Sequence, residues 1–486
     1  MASFQMDFDI NNLKKIIDTW LGSTARKKIV DANKYYDGEN VLVSKLKRMM
    51  WSDKQKRMIE NKFVANNKIS YNKYHDIVSQ KVNTLLNEPP VIKGLDDETF
   101  TKELGYSLKD ASVKASNGGN AFIYCGFNNS LNVFETENCI AFYDDENKDI
   151  IKAFIRFWDV KSFLNIDKVV RYVEVYEEDG MTIFKSEDLS NYDISTPKQA
   201  YRFKIKRDIF ETQKEDIPLS VIPIVELKNN ENKINDLTTT IKSKIDMIDI
   251  LNSGFANNIE DFTEMYWIVK NGAGLTTDEL EDFVASINMT KKVILEGDNT
   301  NSLDVETKQI DIPVEARRTF TEELKTELVD ESGIIDTAQL TGSSLTTTAI
   351  KASTMKLRQR VSDFEWFVYR ACKSILKLYN EYNNLNGEYE IDFIKLLVDN
   401  DTEIVSNAVM VKDSISQRSY LNLLKRANII DNVDEEIMEM EKEQKEKYTI
   451  EDVDDDANDE VDIDGQVSQA NGQDISSAGT ETEETL

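Results

Sequence analysis

The chain has 486 residues, 40% hydrophobic and 30% charged, with a formal net charge of -30; length alone suggests about two to four domains. That charge opposes ordinary phosphate binding and attraction to anionic membranes, and no apolar run approaches the roughly 20 residues that span a bilayer. Three cysteines without C-x-x-C spacing, one histidine, and no phosphate-loop, zinc-protease, serine-hydrolase or dinucleotide motif argue against a disulfide framework, a metal site, a cofactor or an enzyme.

The opening "MASFQMDFDINNLKK" lacks the basic-then-apolar order of a signal peptide, so an intracellular protein is expected. The first hundred residues read mainly as helices. "NNLKKIIDTWL" and "ARKKIVDANKYYDG" repeat apolar residues every three or four positions, and Gly38 in "YYDGEN" suits a left-handed helix end. "SYNKYHDIVSQKVNTLLNEPPVI" is an amphipathic helix stopped by Pro89 and Pro90; His75 within it reads as a surface or packing residue. After "SNGGN" the pattern changes. Segments such as "IKAFIRFWDV" and "VVRYVEVYEEDGMTIFK" are rich in aromatic and β-branched residues, with a two-residue hairpin signal at Asp179-Gly180. They predict one antiparallel, meander-like sheet over about 120–212, within a region spanning 1–232.

A proline-punctuated connector then leads into an apolar stripe from Ile234 to Phe262, which predicts a helix over 233–262. A compact α/β insertion occupies 263–311, and Pro313 opens a second helix over 312–331. The two helices read as a hairpin carrying a knob at its tip. "ESGIIDTAQLTGSSLTTTAIKAS" joins them, through a Thr/Ser/Gly loop at 332–346, to a third helix over 347–386 that is apolar on more than one face. A strand and three helices fill 387–447. No basic residue follows Lys447, and the acidic segment 448–486 is expected to be a disordered tail. The fold class is α+β.

In order, "KYYDGEN", "NKYHDIVSQKVNTLLNEPPVI", "NGGNAFIYCG", "IPIVELKNNENKINDL", "SLTTTAIKASTMKLRQRV" and "DSISQRSYLNLL" resemble the portal protein of tailed phages, in the subfamily common among phages of Gram-positive hosts. Singly each is weak; their order and spacing up to about Lys447 carry the resemblance. It implies a portal fold: a β-rich wing (1–232), a helical stem hairpin (233–262 and 312–331), an α/β clip (263–311), a tunnel loop (332–346), a long spine helix (347–386) and a helical crown (387–447). It further implies a non-enzymatic subunit of a closed ring, usually of about twelve copies. The ring would sit at one capsid vertex of the virion, after assembly in the host cytoplasm. Double-stranded DNA would pass through it without sequence specificity, inward in packaging and outward in ejection. The implied partners are the terminase large subunit, which would hydrolyse the ATP, the head-tail adaptor, and the major capsid and scaffold proteins, with no membrane.

A conduit works best when its wall offers phosphates little to bind, which gives the acidic composition a use. The stem residues Asp246, Asp249, Glu322, Glu323 and Glu327 are candidates for that wall, and they fit solvated helix faces equally well. Arg317 and Arg318 could contact DNA or pair with a neighbouring subunit's carboxylates. Gln339, Leu340, Thr341, Gly342, Ser343 and Ser344 are the tunnel-loop candidates, against the plainer reading of a helix connector. Thr276, Asp278, Glu279, Glu281 and Asp282 are the clip candidates for motor or adaptor contact. The alternative function is another virion assembly or scaffold protein without a channel. A coiled-coil scaffold would need sustained heptads, which the aromatic region contradicts. A carboxylate enzyme built on Asp454 to Asp464 would lie in the expected tail, where no metal could be preorganised.

Overall fold

The N-terminal apolar spacing forms α1 (Ile10–Gly22) and α2 (Thr24–Tyr36), and the hydroxyl of Ser23 between them accepts from the Arg26 amide. The structure is a computed structural model that describes residues 10–52, 55–62, 64–126, 128–161, 168–207, 212–260, 265–270, 282, 304–309, 314–336, 347–396, 408–426, 429–430 and 432–454. Gly38 lies at φ +84°, in the left-handed region predicted for it. A short turn, α3 (Val41–Ser44), is capped by Asn40. A hairpin of β1 (Met49–Ser52) and β2 (Arg57–Glu60) follows, in a region that reads mainly as helix. The run "RMMWSDKQKRMIE" carries no three-four apolar spacing, so cross-strand pairing of Trp51 with Met58 decides its state. Helix α4 (Lys73–Leu86) buries Tyr74, Ile77, Val78, Val82 and Leu85, as its amphipathic pattern predicts. His75 on it packs against the Tyr36 ring, centroids 4.6 Å apart. After β3 (Val91–Lys93) comes α5 (Glu98–Gly118), a helix not among the predicted elements although Phe100, Leu104, Leu108, Ala111 and Ala115 recur at three- and four-residue steps and are buried.

The aromatic region divides into three sheets rather than forming one. Its strands are β4 (Asn120–Cys125), β5 (Leu131–Val133), β6 (Cys139–Tyr143), β7 (Ile151–Lys161), β8 (Val169–Glu177), β9 (Gly180–Ser186), β10 (Asp193–Gln199), β11 (Arg202–Arg207), β12 (Thr212–Ile217) and β13 (Ile224–Lys228). Only β6 to β10 make the predicted meander; β4 pairs with β5 and with β13, beyond the predicted span, while β11 and β12 form their own ladder. Two-sided burial is the physical reason. Ile155 and Phe157 of β7 pack on Leu13 and Ile17 of α1, while Phe154, on the opposite face of the strand, meets Phe122, Phe134 and Tyr176. A sheet apolar on both faces needs a second layer, which β4 and β13 help to supply. The β8–β9 turn is displaced by one residue from its predicted place. Glu177 pairs with Gly180, so Glu178 and Asp179 form the loop, and glycine is needed at 180 because a Cβ would strike the Gln199 carbonyl.

The first helix of the predicted hairpin, α6 (Thr239–Glu260), starts later than the apolar stripe suggests, because Ile234 and Asp236 are committed to a turn of side-chain bonds. Strands β14 (Met265–Lys270) and β15 (Asp304–Gln309) pair antiparallel and bound the insertion. Helices α7 (Val314–Ser332) and α8 (Thr347–Asn383) overlap the second helix of the predicted hairpin and the long third helix. At 37 residues, α8 is about 55 Å long. It buries Leu357, Val361, Phe364, Val368, Ile375 and Leu378 against α5 and the β4 sheet, whereas Trp366 is 69% exposed.

The chain forms two units, 1–398 and 399–486. Strand β16 (Glu390–Asp392), assigned by sequence to the crown, pairs with β3 inside the first unit. The second unit holds α9 (Gln417–Arg426) and α10 (Val433–Asp454), linked by Arg418 and Asp434 at 3.1 Å. Helix α10 runs past Lys447, the expected start of the tail, since extending a formed helix needs no new nucleus. No helix among the described residues is long and apolar enough to cross a membrane.

Candidate functional site

The α6–α7 hairpin is the site, and it is held very unequally. Ile241, Ile245 and Ile248 of α6 enter a core with Ala32 and Tyr35 of α2 and Tyr74, Ile77 and Val78 of α4. From α7, only Leu328 and Ser332 are buried, with Leu324 and Val329 packed beside them. Lys244 of α6 reaches Glu327 at 3.2 Å and Glu331 at 2.8 Å, tying early α6 to late α7 as an antiparallel pair demands. The Lys244 ammonium holds Glu331 below the usual carboxylate range. Phe320, midway along α7, is 45% exposed.

A second face of α6 is polar and buried. Asp249, Ser253 and Asn257 recur at four-residue steps, and an extended strap, residues 67–71, runs beside them in the opposite direction. The amide of Tyr71 donates to Asp249 Oδ1 at 2.8 Å and that of Ile69 to Ser253 Oγ at 2.9 Å, while the Asn67 amide donates to Asn257 Oδ1. The spacings nearly match: alternate residues of an extended chain advance about 6.6 Å and four helical residues about 6 Å. The second Asp249 oxygen accepts from Asn40 Nδ2 at 2.8 Å. Burial raises the Asp249 pKa to about 6, against the bonds from Asn40 and Tyr71 that lower it.

The root of the hairpin is built from separate stretches of sequence. Asp236, just before α6, accepts from Lys81 of α4, 2.5 Å away, and lies 3.4 Å from Arg360 of α8. Asn229 accepts from Lys81 at 2.7 Å and donates to Asp236 at 3.0 Å. The Asp236 amide donates to Ser116 O, and Gly119, at φ +88°, lies against the Lys233 carbonyl where no Cβ fits. Burial would raise the Asp236 pKa, but Lys81 and Arg360 together hold it below the usual range. Where α7 ends, Arg360 caps the Ser332 carbonyl and Gly333 turns left-handed at φ +66°. Gln80 then bonds both backbone groups of Ile335, at 2.8 and 3.1 Å.

Of the stem candidates, Asp249 is fully buried within the protomer and is no wall residue; it serves the strap. Asp246 is half-buried, accepting from Tyr35 and from Lys242 at 3.4 Å. Arg317 is half-buried; Arg318, Glu322, Glu323 and Glu327 are exposed, with Glu322 3.0 Å from Lys325. Of the clip candidates, Asp282 is exposed, and Thr276, Asp278, Glu279 and Glu281 lie outside the described residues, as do Gln339 to Ser344 of the loop. The node of Lys81, Asn229, Asp236 and Arg360 carries no motif; its one signal is the position of Lys81 on the apolar face of α4. Cys125, Cys139 and Cys372 are free and buried.

Comparison with known proteins gives two matches. A family model described as phage portal protein, SPP1 Gp6-like, matches residues 17–449. The portal protein of Clostridium phage phiCD119 is 26% identical over 353 residues, which is 67% of this chain and 72% of that protein.

Proposed function

Since the chain belongs to the phage portal protein family, SPP1 Gp6-like, we propose that about twelve copies close into a ring at one capsid vertex. A DNA channel follows from the family; the number of copies, the vertex and the following partners are the proposal. The stem is α6 with α7, the clip is 263–311, the spine is α8, and the loop at 332–346 projects into the channel. The clip meets the terminase large subunit in packaging and the head-tail adaptor afterwards. The wing faces the capsid and scaffold proteins, and the crown lies toward the packaged DNA. Portal proteins are structural, so ATP hydrolysis is left to the motor.

The observation that carries this reading is the one-sided burial of α7. In a single copy α6 is held on several sides by α2, α4, the strap and α7, with Met247 and Ile259 left exposed, while α7 leaves most of its circumference bare, Phe320 included. Neighbouring copies and a lumen are what such a helix lacks. If about twelve helices of ~10 Å diameter stand side by side, their axes trace a circle ~120 Å around and ~38 Å across. The bore is then roughly 28 Å, wider than the roughly 20 Å of duplex DNA implied by its groove depths. Arg318 and Glu322, lying about 40° apart on the α7 surface, are the wall residues. Electron microscopy of the purified full-length chain tests this: closed rings with a central hole are expected, and a protein that stays monomeric at high concentration overturns it.

A further inference from the structure

Within a chain of net charge -30, the stretch Lys45–Lys68 carries eight basic residues against two acidic ones. Its centre is the β1–β2 hairpin, whose strand alternation puts Met49, Trp51, Met58 and Glu60 on one side, Glu60 being paired with Lys47 at 3.0 Å, and Met50, Ser52, Arg57 and Ile59 on the other. Ser52 is buried and Ile59 half-buried, so the second side is the more enclosed, although Met50 on it is 38% exposed. The first is outward, with Met49 46%, Trp51 55% and Met58 53% exposed. Lys56 in the turn, and Arg57, which belongs to the second side but lies at its turn end, are both exposed at the rim of this face. A basic, apolar surface of this kind needs a partner that is acidic and apolar together.

We propose that this hairpin docks on α7 of the next copy in the ring, against Phe320, Glu323 and Glu327. The proposal rests on the ring reading above. Phe320, Glu323 and Glu327 share one flank of α7, being three and seven residues apart. Glu322, assigned to the channel wall, lies about 160° from Phe320 on the same helix. Height supports the pairing. Rotation about a ring axis along the stem keeps every residue at its level, so the two patches must match in level. The hairpin's base is tied to the strap by Asn66 bonding Leu46 O and Lys68 bonding Ser44 O, and the strap there is at Asn257 of α6. With Lys244 opposite Glu327 and Glu331, Asn257 falls opposite about residue 316 of α7, within roughly one turn of Phe320. Two unlike patches on one subunit are also what a head-to-tail contact requires. Duplex phosphates offer nothing to the Met and Trp face, and the acidic 455–486 segment has few large apolar residues.

The test uses the full chain. Arg57→Glu and Glu323→Arg are each expected to lower the ring fraction about tenfold at fixed concentration, and the combination to restore it. A Met58→Cys/Phe320→Cys double variant is expected to give a ladder of disulfide-linked oligomers without reductant, the native cysteines being buried. If the wild type itself never forms rings, the ring reading fails first. Wild-type rings with unaltered assembly of Arg57→Glu and no ladder overturn the docking alone. So does ring loss confined to removal of 455–486, which makes that segment the occupant. Intact Arg57→Glu rings that retain less duplex DNA also overturn it, in favour of phosphate.

Discussion

Lys81 occupies the centre of the apolar face of α4, in phase with Tyr74, Ile77, Val78 and Leu85. A lysine in a helical run ordinarily reads as solvated, and its partner lies 155 positions away, so nothing local reveals the pair. Once buried, the ammonium must be compensated, and Asp236 and Asn229 do this beneath the Phe364 ring, 4.4 Å from the nitrogen. Lys81→Met should therefore destabilise the fold by about 3–5 kcal/mol despite its similar volume, because Asp236 stays buried with the neutral Asn229 amide and the more distant Arg360 as its remaining partners. Lys81→Met with Asp236→Leu should recover much of that loss. Chemical unfolding of the three proteins measures it; a single variant as stable as wild type would show that the pair contributes nothing.

Helices α2, α4 and α8 were legible from their apolar spacing, and α7, which buries only Leu328 and Ser332, from Pro313 at its start. They were less so where polar residues do the packing. The face of α6 bearing Asp249, Ser253 and Asn257 reads as solvent-facing, yet it is buried because the strap presents amides at almost the same interval. The partition of the sheets escaped for a different reason. The partner of β4 is β13, about a hundred residues downstream, and pairing at that separation leaves no periodic trace. The strap yields a pH prediction. With a folded pKa of about 6 against 3.8 ordinarily, Asp249 binds its proton more tightly in the folded chain. Its favourable contribution is full below the ordinary carboxylate pKa and is lost as pH rises through about 6, a change of roughly 3 kcal/mol. Wild-type stability relative to Asp249→Asn should thus fall from pH 4 to 6.5 and then level off, as read by melting temperature. An unchanged difference across that range would mean that the carboxylate is not desolvated.

The six short stretches that resemble portal proteins scatter along the sequence, and the fold brings four of them to one place. Lys81 comes from "NKYHDIVSQKVNTLLNEPPVI", Gly119 from "NGGNAFIYCG", Asp236 from "IPIVELKNNENKINDL" and Arg360 from "SLTTTAIKASTMKLRQRV". All meet at the root of the α6–α7 hairpin, just before the loop at 332–346. That loop is anchored ahead of its tip: Arg360 holds Ser332, Gly333 makes the turn, Ile334 is buried, and Gln80 bonds Ile335 on both sides. Lys356 of α8 also pairs with Asp330. None of these contacts uses Gln339 to Ser344. Removing those six residues should therefore leave ring assembly and melting temperature near wild type, while DNA packaging in reconstituted proheads drops about tenfold or more if the tip touches the duplex in each cycle. The two readouts separate the possibilities. Packaging at the wild-type rate would remove the tip from the mechanism. Loss of rings would make the loop a structural link between copies, with its residues spent on the interface instead of on DNA.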